Sequence, residues 1–474
     1  MIFAAPLIFA ASFVSVQVGS FSEETRAVAV VEELRRAGYD AYFLRANSVE
    51  EGASTYKVRV GKFADKVQGR ATAEKLKARG DDYKGAYAAE TDRIETQNLS
   101  ADLIGLVGQM KTVNPGRVTR DSGAGERLAD YVHNYLVLYL LDAGRDPGAK
   151  LSDLAVWDTN PDNEPEIFAV LDGSRAFALF WEKTQSRYQL AELASGGKIE
   201  MGAALDLTPG PEKFVAVRYE RGGDLYEEKG YQLYRWQQSQ TTYEQVGTIP
   251  LEIKDRGIEG AASVSLMRSV DVDTLDLDPD REVIVTCTVA GKSHVDVWDW
   301  DGKTLSRVRD IAWFEKILAA KPNSDRAAEG LFGLGIERGL ADDIGGAQEV
   351  FQLLVSTYPT FGVAARAQTA ITELGRRQRL ADALNQTGFE ELKAGAPELA
   401  AADLAEAALQ NPGDPRIHYS LAVARVQTGD TLGALRALSR AVELAPDDAF
   451  RDKARTDADL SPLRELPEFK EILQ

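Results

Sequence analysis

The sequence is poorest in the residues that carry redox, metal and nucleophilic chemistry. Its 474 residues include one cysteine, Cys287, and three histidines, His133, His294 and His418. A single cysteine excludes an intrachain disulfide. Cys287 lies in Val283-Ile-Val-Thr-Cys-Thr-Val289, a predicted buried strand, and reads as an inert core thiol. The histidines fall in different regions at unrelated spacings, and His418 falls in a predicted helix where packing accounts for it. A His-x-x-x-His pair, a Gly-x-Ser-x-Gly elbow and a phosphate-cradling loop are all missing from the sequence. Positive charge is also short. Lys and Arg number 55 against 74 Asp and Glu, a net charge of −19, with no basic run interleaved with aromatics. That balance argues against nucleic acid and against a polybasic membrane patch. Long apolar runs are lacking too. Ile2 to Ala11 is apolar and ends Ala10-Ala11-Ser12, like the core and cleavage region of a secretory signal without a positive start, and it is too short to span a bilayer. No other stretch is apolar enough for a transmembrane helix, so the mature protein is expected to be soluble or tethered by a segment outside this sequence.

What is present is repetition. Val16 to Phe21 reads Val-Gln-Val-Gly-Ser-Phe, and Val58 to Phe63 reads Val-Arg-Val-Gly-Lys-Phe, an offset of 42. The same offset carries Glu32, Leu34 and Gly38 onto Glu74, Leu76 and Gly80. Each copy opens with period-two alternation, the mark of a half-buried strand, and continues with apolar residues at helical spacing. Ser22 to Glu24 suits a helix start and Gly38 a stop. Tyr39 to Leu44 and Tyr83 to Ala89 close the two copies as strands. The order is β-α-β-β-α-β, a ferredoxin-like arrangement with both helices on one face of the sheet. Parity puts Ser15, Gln17, Thr55, Lys57 and Arg59 on the other face, and Tyr42 and Tyr87 are expected to join them. Flat rings beside amide, hydroxyl and guanidinium groups suit a sugar chain. A plain solvated sheet face is the competing reading.

These motifs, with Ala37-Gly-Tyr-Asp-Ala-Tyr42, resemble the SPOR domain over residues 13–90. The resemblance implies binding, through the helix-free face, to peptidoglycan glycan strands that have lost their stem peptides. Gln17 and Ser20 match polar contacts on the first strand by position. Thr55 stands where members often carry an aromatic. The resemblance also implies an extracytoplasmic place in a bacterial cell envelope, the periplasm for instance, and often the division site.

Residues 91–130 are polar, with Gly and Pro at Asn114-Pro-Gly116 and Ser122-Gly-Ala-Gly125, and read as a linker with one short helix around Leu103 to Met110. Tyr131 to Leu141 reads as a first strand of the next domain, which extends to Asp310 as a β-rich region. Asp158-Thr-Asn160-Pro-Asp162, Asp206-Leu-Thr208-Pro-Gly210 and Asp276-Leu-Asp278-Pro-Asp280 share one frame. Each precedes an apolar strand, and each is followed by a tryptophan: Trp181, Trp236 and Trp300. This predicts propeller-like blades or a sandwich. The acidic turns resemble FG-GAP or VCBS repeats, which implies calcium as a candidate ligand. Asp158, Asn160, Asp162 and Glu166 form the best oxygen set, and Asp276, Asp278, Asp280 and Glu282 the next. The alternative is that Asp and Pro build turns.

From Ile311 to the end the chain is helical in pattern. Ala400, Leu404, Ala407 and Pro412 recur 34 residues later as Ala434, Leu438, Ala441 and Pro446. Leu334, Gly335, Ala347, Phe351, Leu354 and Pro359 form an earlier copy. This period resembles tetratricopeptide repeats (TPRs), which implies a superhelix that binds protein partners. An extra helix is expected near Val363 to Arg379, and Arg455 to Leu473 as a cap. The whole is a multidomain chain: residues 1–12 a signal remnant, 13–90 SPOR-like, 91–130 linker, 131–310 β-rich, 311–474 a TPR array. The function expected is a non-catalytic envelope scaffold. The alternatives are a peptidoglycan hydrolase with a catalytic middle domain, and a secretion or polysaccharide-export component.

Overall fold

The computed structural model describes residues 13–47, 54–91, 93–111, 116–118, 123–147, 150–222, 226–255, 267–276, 278–289, 292–445 and 447–474. The expected signal remnant at 1–12, Pro115 and Pro446 lie outside the described residues. The chain divides into two compact units. The first comprises 1–274, 278–283 and 298–306; the second comprises 275–277, 284–297 and 307–474.

The first unit opens with β1 (Phe13–Phe21), α1 (Glu24–Arg36), β2 (Ala41–Asn47), β3 (Ser54–Phe63), α2 (Lys66–Lys77) and β4 (Tyr87–Thr91). The strands form an antiparallel sheet in the order β2-β3-β1-β4. The repeated Gly-x-Phe has a steric cause. A Cβ on Gly19 would sit 2.9 Å from the Phe21 ring, and one on Gly61 2.7 Å from the Phe63 ring. Each glycine leaves room for the phenylalanine two residues on to fold back over its own strand. Gly61 also needs the left-handed region, at φ +66°. Gly38, at φ +82°, ends α1, with Tyr39 N donating to the Leu34 carbonyl.

The stretch expected as a linker carries α3 (Arg93–Lys111), longer than the short helix expected, and the start of α4 (Gly123–Asp142). Tyr131 to Leu141, expected as a strand, is the body of α4. Its side chains are buried from Tyr131 through Leu140 without a break. Buried all round, this helix is apolar apart from His133, Asn134 and its tyrosine hydroxyls, so it shows neither a helical stripe nor a strand alternation. The cause is its central position. Tyr131 meets Phe43 edge to face, with ring centroids 5.1 Å apart, and Tyr135 donates to the Tyr188 carbonyl further along the chain. One apolar core runs from Phe13 through α3 and α4 to Leu179 and Tyr188.

The remaining strands are β5 (Gly116–Arg117, between α3 and α4 in sequence), β6 (Leu151–Trp157), β7 (Glu166–Leu171), β8 (Arg175–Glu182), β9 (Arg187–Ser195), β10 (Lys198–Leu205), β11 (Phe214–Gly222), β12 (Tyr226–Gln237), β13 (Thr242–Asp255), β14 (Met267–Asp273), β15 (Glu282–Val289), β16 (Lys292–Trp300) and β17 (Leu305–Arg307). They form three sheets, in the orders β5-β6-β7-β8-β9, β10-β11-β12-β13 and β14-β15-β16-β17. The sequence repeat maps onto them. Each acidic turn joins the first and second of four sequential strands (β6–β7, β10–β11, β14–β15), and each tryptophan ends or nearly ends the third (β8, β12, β16).

The second unit holds α5 (Ile311–Ala320), α6 (Asp325–Leu340), α7 (Ile344–Thr357), α8 (Gly362–Lys393), α9 (Pro397–Gln410), α10 (Pro415–Gln427), α11 (Thr431–Leu444), α12 (Ala449–Thr456) and α13 (Pro467–Ile472). The repeat positions occupy matching places. Ala347, Phe351 and Leu354 are buried on α7, Ala400, Leu404 and Ala407 on α9, and Ala434, Leu438 and Ala441 on α11. A Cβ on Gly335 would lie 2.5 Å from Phe351, and one on Gly388 2.6 Å from Leu404, so glycine sets how closely each helix pair packs. The expected extra helix is not separate. It runs on as the first half of the 32-residue α8, because no proline interrupts 362–393. The C-terminal tail buries Leu460, Leu463, Phe469 and Leu473 in the cluster that holds Leu438 and Ala441.

Candidate functional site

Register decides which residues share the helix-free face of the first sheet. A Cβ on Gly69 of α2 would lie 3.0 Å from Ala88 and 3.3 Å from Val14, so α2 covers the face that carries them. Val16 pairs with Ala88 and Val60 and shares that side. Opposite lies a row that crosses all four strands. Tyr42 pairs with Arg59, Arg59 with Gln17, and Gln17 with Tyr87. A second row sets Leu44 beside Lys57 and Lys57 beside Ser20. Thr55 pairs with Ala46 near the start of β3.

The row is open at one end and closed at the other. Tyr87 is 51% exposed and Ser20 is exposed, while Gln17, Lys57 and Thr55 are half-buried. Gln17 Nε2 donates to Ser20 Oγ at 3.1 Å. Tyr42 is 0% exposed and belongs to the apolar core, its hydroxyl donating to the Gly61 carbonyl at 3.1 Å. Arg59 is 2% exposed, with Nη1 donating to Ser15 Oγ at 3.1 Å, and Ser15 in turn bonds Thr91 at 2.8 Å. The uncovered face expected from parity is therefore confined to its β1 and β4 side and the start of β3. Parity assigns a side chain to a face, but it does not say what else packs there.

The α1 flank of the domain is joined to α4 by polar contacts that parity did not signal. Arg35 donates from Nε to the Ala41 carbonyl at 2.8 Å, from Nη1 to His133 Nδ1 at 2.8 Å and from Nη2 to Asn134 Oδ1 at 2.9 Å. Arginine has no acceptor, so His133 must accept at Nδ1. Burial lowers the Arg35 pKa to about 10, which leaves it charged at neutral pH. Glu24 at the start of α1 accepts a two-point contact from Arg127 at 2.7 and 2.9 Å, and also the hydroxyls of Tyr56 and Tyr131. Arg45 on β2 grips Asp102 of α3.

The first acidic turn closes on itself. Glu166 Oε2 accepts from Thr159 N and Oγ1, both at 2.8 Å, and Oε1 accepts from Asn160 Nδ2 at 2.6 Å. Asn160 Oδ1 accepts from Asp162 N, and Asp162 Oδ1 from Glu164 N. These are Asx-type turns. Glu166 is fully buried, and burial raises its pKa to about 8 against the hydrogen bonds from Thr159. The residues expected as calcium ligands thus spend much of their oxygen capacity on one another. In the third turn Asp278 Oδ1 accepts from Asp280 N, the same bracing.

Comparison with known families agrees with the ends of the chain. Residues 10–87 match the SPOR domain, and residues 391–452 match a tetratricopeptide repeat. No curated protein matches the chain. The middle region is β-rich, with several antiparallel sheets, and matches neither family. Both matched domains are binding modules without catalytic function: a SPOR domain implies peptidoglycan binding and a tetratricopeptide repeat implies protein interaction. Among the described residues, no helix is long and apolar enough to cross a membrane.

Proposed function

We propose that this protein is a non-catalytic scaffold of the bacterial cell envelope, working outside the cytoplasm and positioned at division sites. It holds glycan strands stripped of stem peptides through the exposed part of the helix-free face, and it gathers protein partners through the helical repeats. One observation carries the reading. Within the SPOR match, the exposed Tyr87 ring stands beside Gln17, which bonds the exposed Ser20, on the face that α1 and α2 leave uncovered. The ring offers a flat surface to sugar C–H groups, and the amide and hydroxyl offer donors and acceptors to sugar hydroxyls. Thr55, Lys57 and Arg59 complete the set expected from the sequence, but Arg59 acts from below, through Ser15. Tyr42 belongs to the core that supports the face.

The full chain is expected to pellet with amidase-treated sacculi and much less with intact ones. Gln17→Ala combined with Tyr87→Ala is expected to weaken that binding at least about tenfold, equivalent to about 1.4 kcal/mol. Tyr42→Phe, which keeps the buried ring and removes the hydroxyl that bonds Gly61, is expected to bind normally. Unchanged pelleting by the double variant would refute the assignment. The competing hydrolase reading predicts turbidity loss of purified sacculi. A cleavage product abolished by one middle-domain carboxylate substitution would overturn the scaffold reading.

A further inference from the structure

Three metal-ligating side chains meet in the second unit, where no sequence motif announces them. Cys287 lies on β15, and His294 and Asp296 lie on the neighbouring strand β16. Cys287 Sγ is 3.2 Å from Asp296 Oδ2, and His294 Nε2 is 3.7 Å from Asp296 Oδ1. One sulfur, one imidazole nitrogen and one carboxylate oxygen all lie within 4.8 Å of one another. All three residues are buried: Cys287 completely, Asp296 to 3% exposure and His294 to 9%. Arg307 of β17 pairs with Asp296 through Nη2 and reaches Glu337 of α6 through Nη1 at 2.9 Å.

From this cluster we infer a zinc site. Zinc takes thiolate, imidazole and carboxylate at roughly 2.0–2.3 Å in tetrahedral geometry, which places ligand atoms roughly 3.3–3.8 Å apart. The separations present here need shifts of only about an ångström to reach that. The mixed set of soft and borderline donors favours zinc over the hard cations calcium and magnesium. The charges also balance. One thiolate and one carboxylate neutralise a divalent ion, and Glu337 faces the Arg307 cation together with the exposed Arg309. Arg307 holds Asp296 in the way that outer partners orient a ligating carboxylate. Without metal, the Cys287 thiol donates to Asp296 Oδ2. Zinc takes the place of that proton, so binding forms a Zn–S bond and releases one proton to solvent. Three protein ligands leave a fourth position for water.

The test uses the full chain. Protein loaded with zinc and desalted is expected to retain about one zinc per chain by elemental analysis. Loaded with cobalt instead, it should show a thiolate-to-cobalt charge-transfer band. Cys287→Ser should remove that band, and His294→Ala should lower retention to background. Glu166→Gln, in the first unit, should change neither. If a variant does not fold, as judged by circular dichroism, the wild-type cobalt spectrum decides alone. A folded wild-type chain without a charge-transfer band, or zinc retention unchanged in both variants, overturns the inference and leaves Cys287 as a hydrogen-bonded core thiol.

Discussion

Glu166 shows how one side chain can be mistaken at a distance. Its place at the end of an acidic turn gave it the look of a metal ligand, whereas in the fold it is a buried acceptor that ties the turn to β7. Its proton has a consequence for stability. A carboxyl whose pKa rises from 4.5 unfolded to about 8 folded binds its proton more tightly in the native state. Its contribution is full below the unfolded value and is lost as pH rises toward the folded one, at about 1.4 kcal/mol per pH unit. Urea unfolding of Glu166→Gln at pH 5 and at pH 8 should therefore show the variant gaining relative to wild type at the higher pH. Parallel pH profiles would mean that Glu166 is ionised in the fold. Tyr42 carries the same lesson in reverse. Its register position was legible, but its burial was not.

At the scale of elements, α6 shows how glycine placement sets packing. A Cβ on Gly333 would lie 1.9 Å from the Val295 carbonyl oxygen, backbone that cannot yield without moving the helix off its neighbour. A Cβ on Gly339 in the same helix meets only Ala347, at an ordinary 3.7 Å. Gly333→Ala is expected to destabilise the second unit by about 1–3 kcal/mol, through overpacking. Gly339→Ala is expected to be stabilising by about 0.5–1 kcal/mol, through helix propensity. Thermal unfolding followed by circular dichroism separates the two, and a common sign of effect would contradict this packing. Elements with one buried face were readable: the repeat helices α9 and α11 from the 34-residue period, and α7 from the matching spacing of Ala347, Phe351 and Leu354. The fully buried α4 was not, because a side chain that meets protein in every direction leaves no period to read.

At the scale of the molecule, the first unit joins the SPOR-like fold to the β-rich region through a continuous core rather than a loose tether. Phe43 packs on Tyr131, Arg35 bonds α4, and α4 reaches Tyr188. Removing the Arg35 anchor should therefore loosen more than one domain. In native-state hydrogen exchange, Arg35→Ala is expected to lower protection of β3 and of β7 together. Loss confined to β1–β4 would show an independently stable module. A fragment ending near Glu90 would leave Phe43 without the Tyr131 ring it packs on, so binding measurements belong on the full chain.

The sequence alone settled the duplicated strand–helix unit, the polar parity of its helix-free face, the three-fold frame of turns and tryptophans, and the helical repeats. Each of these rests on local periodicity, which derives from backbone geometry. Only tertiary structure decided that Tyr42 and Arg59 are buried, that Tyr131 to Leu141 is a helix, that Glu166 is enclosed by Thr159 and Asn160, and that His294 stands beside Cys287. These depend on what packs against a side chain and on how neighbouring strands align, and such long-range contacts leave no period in the chain.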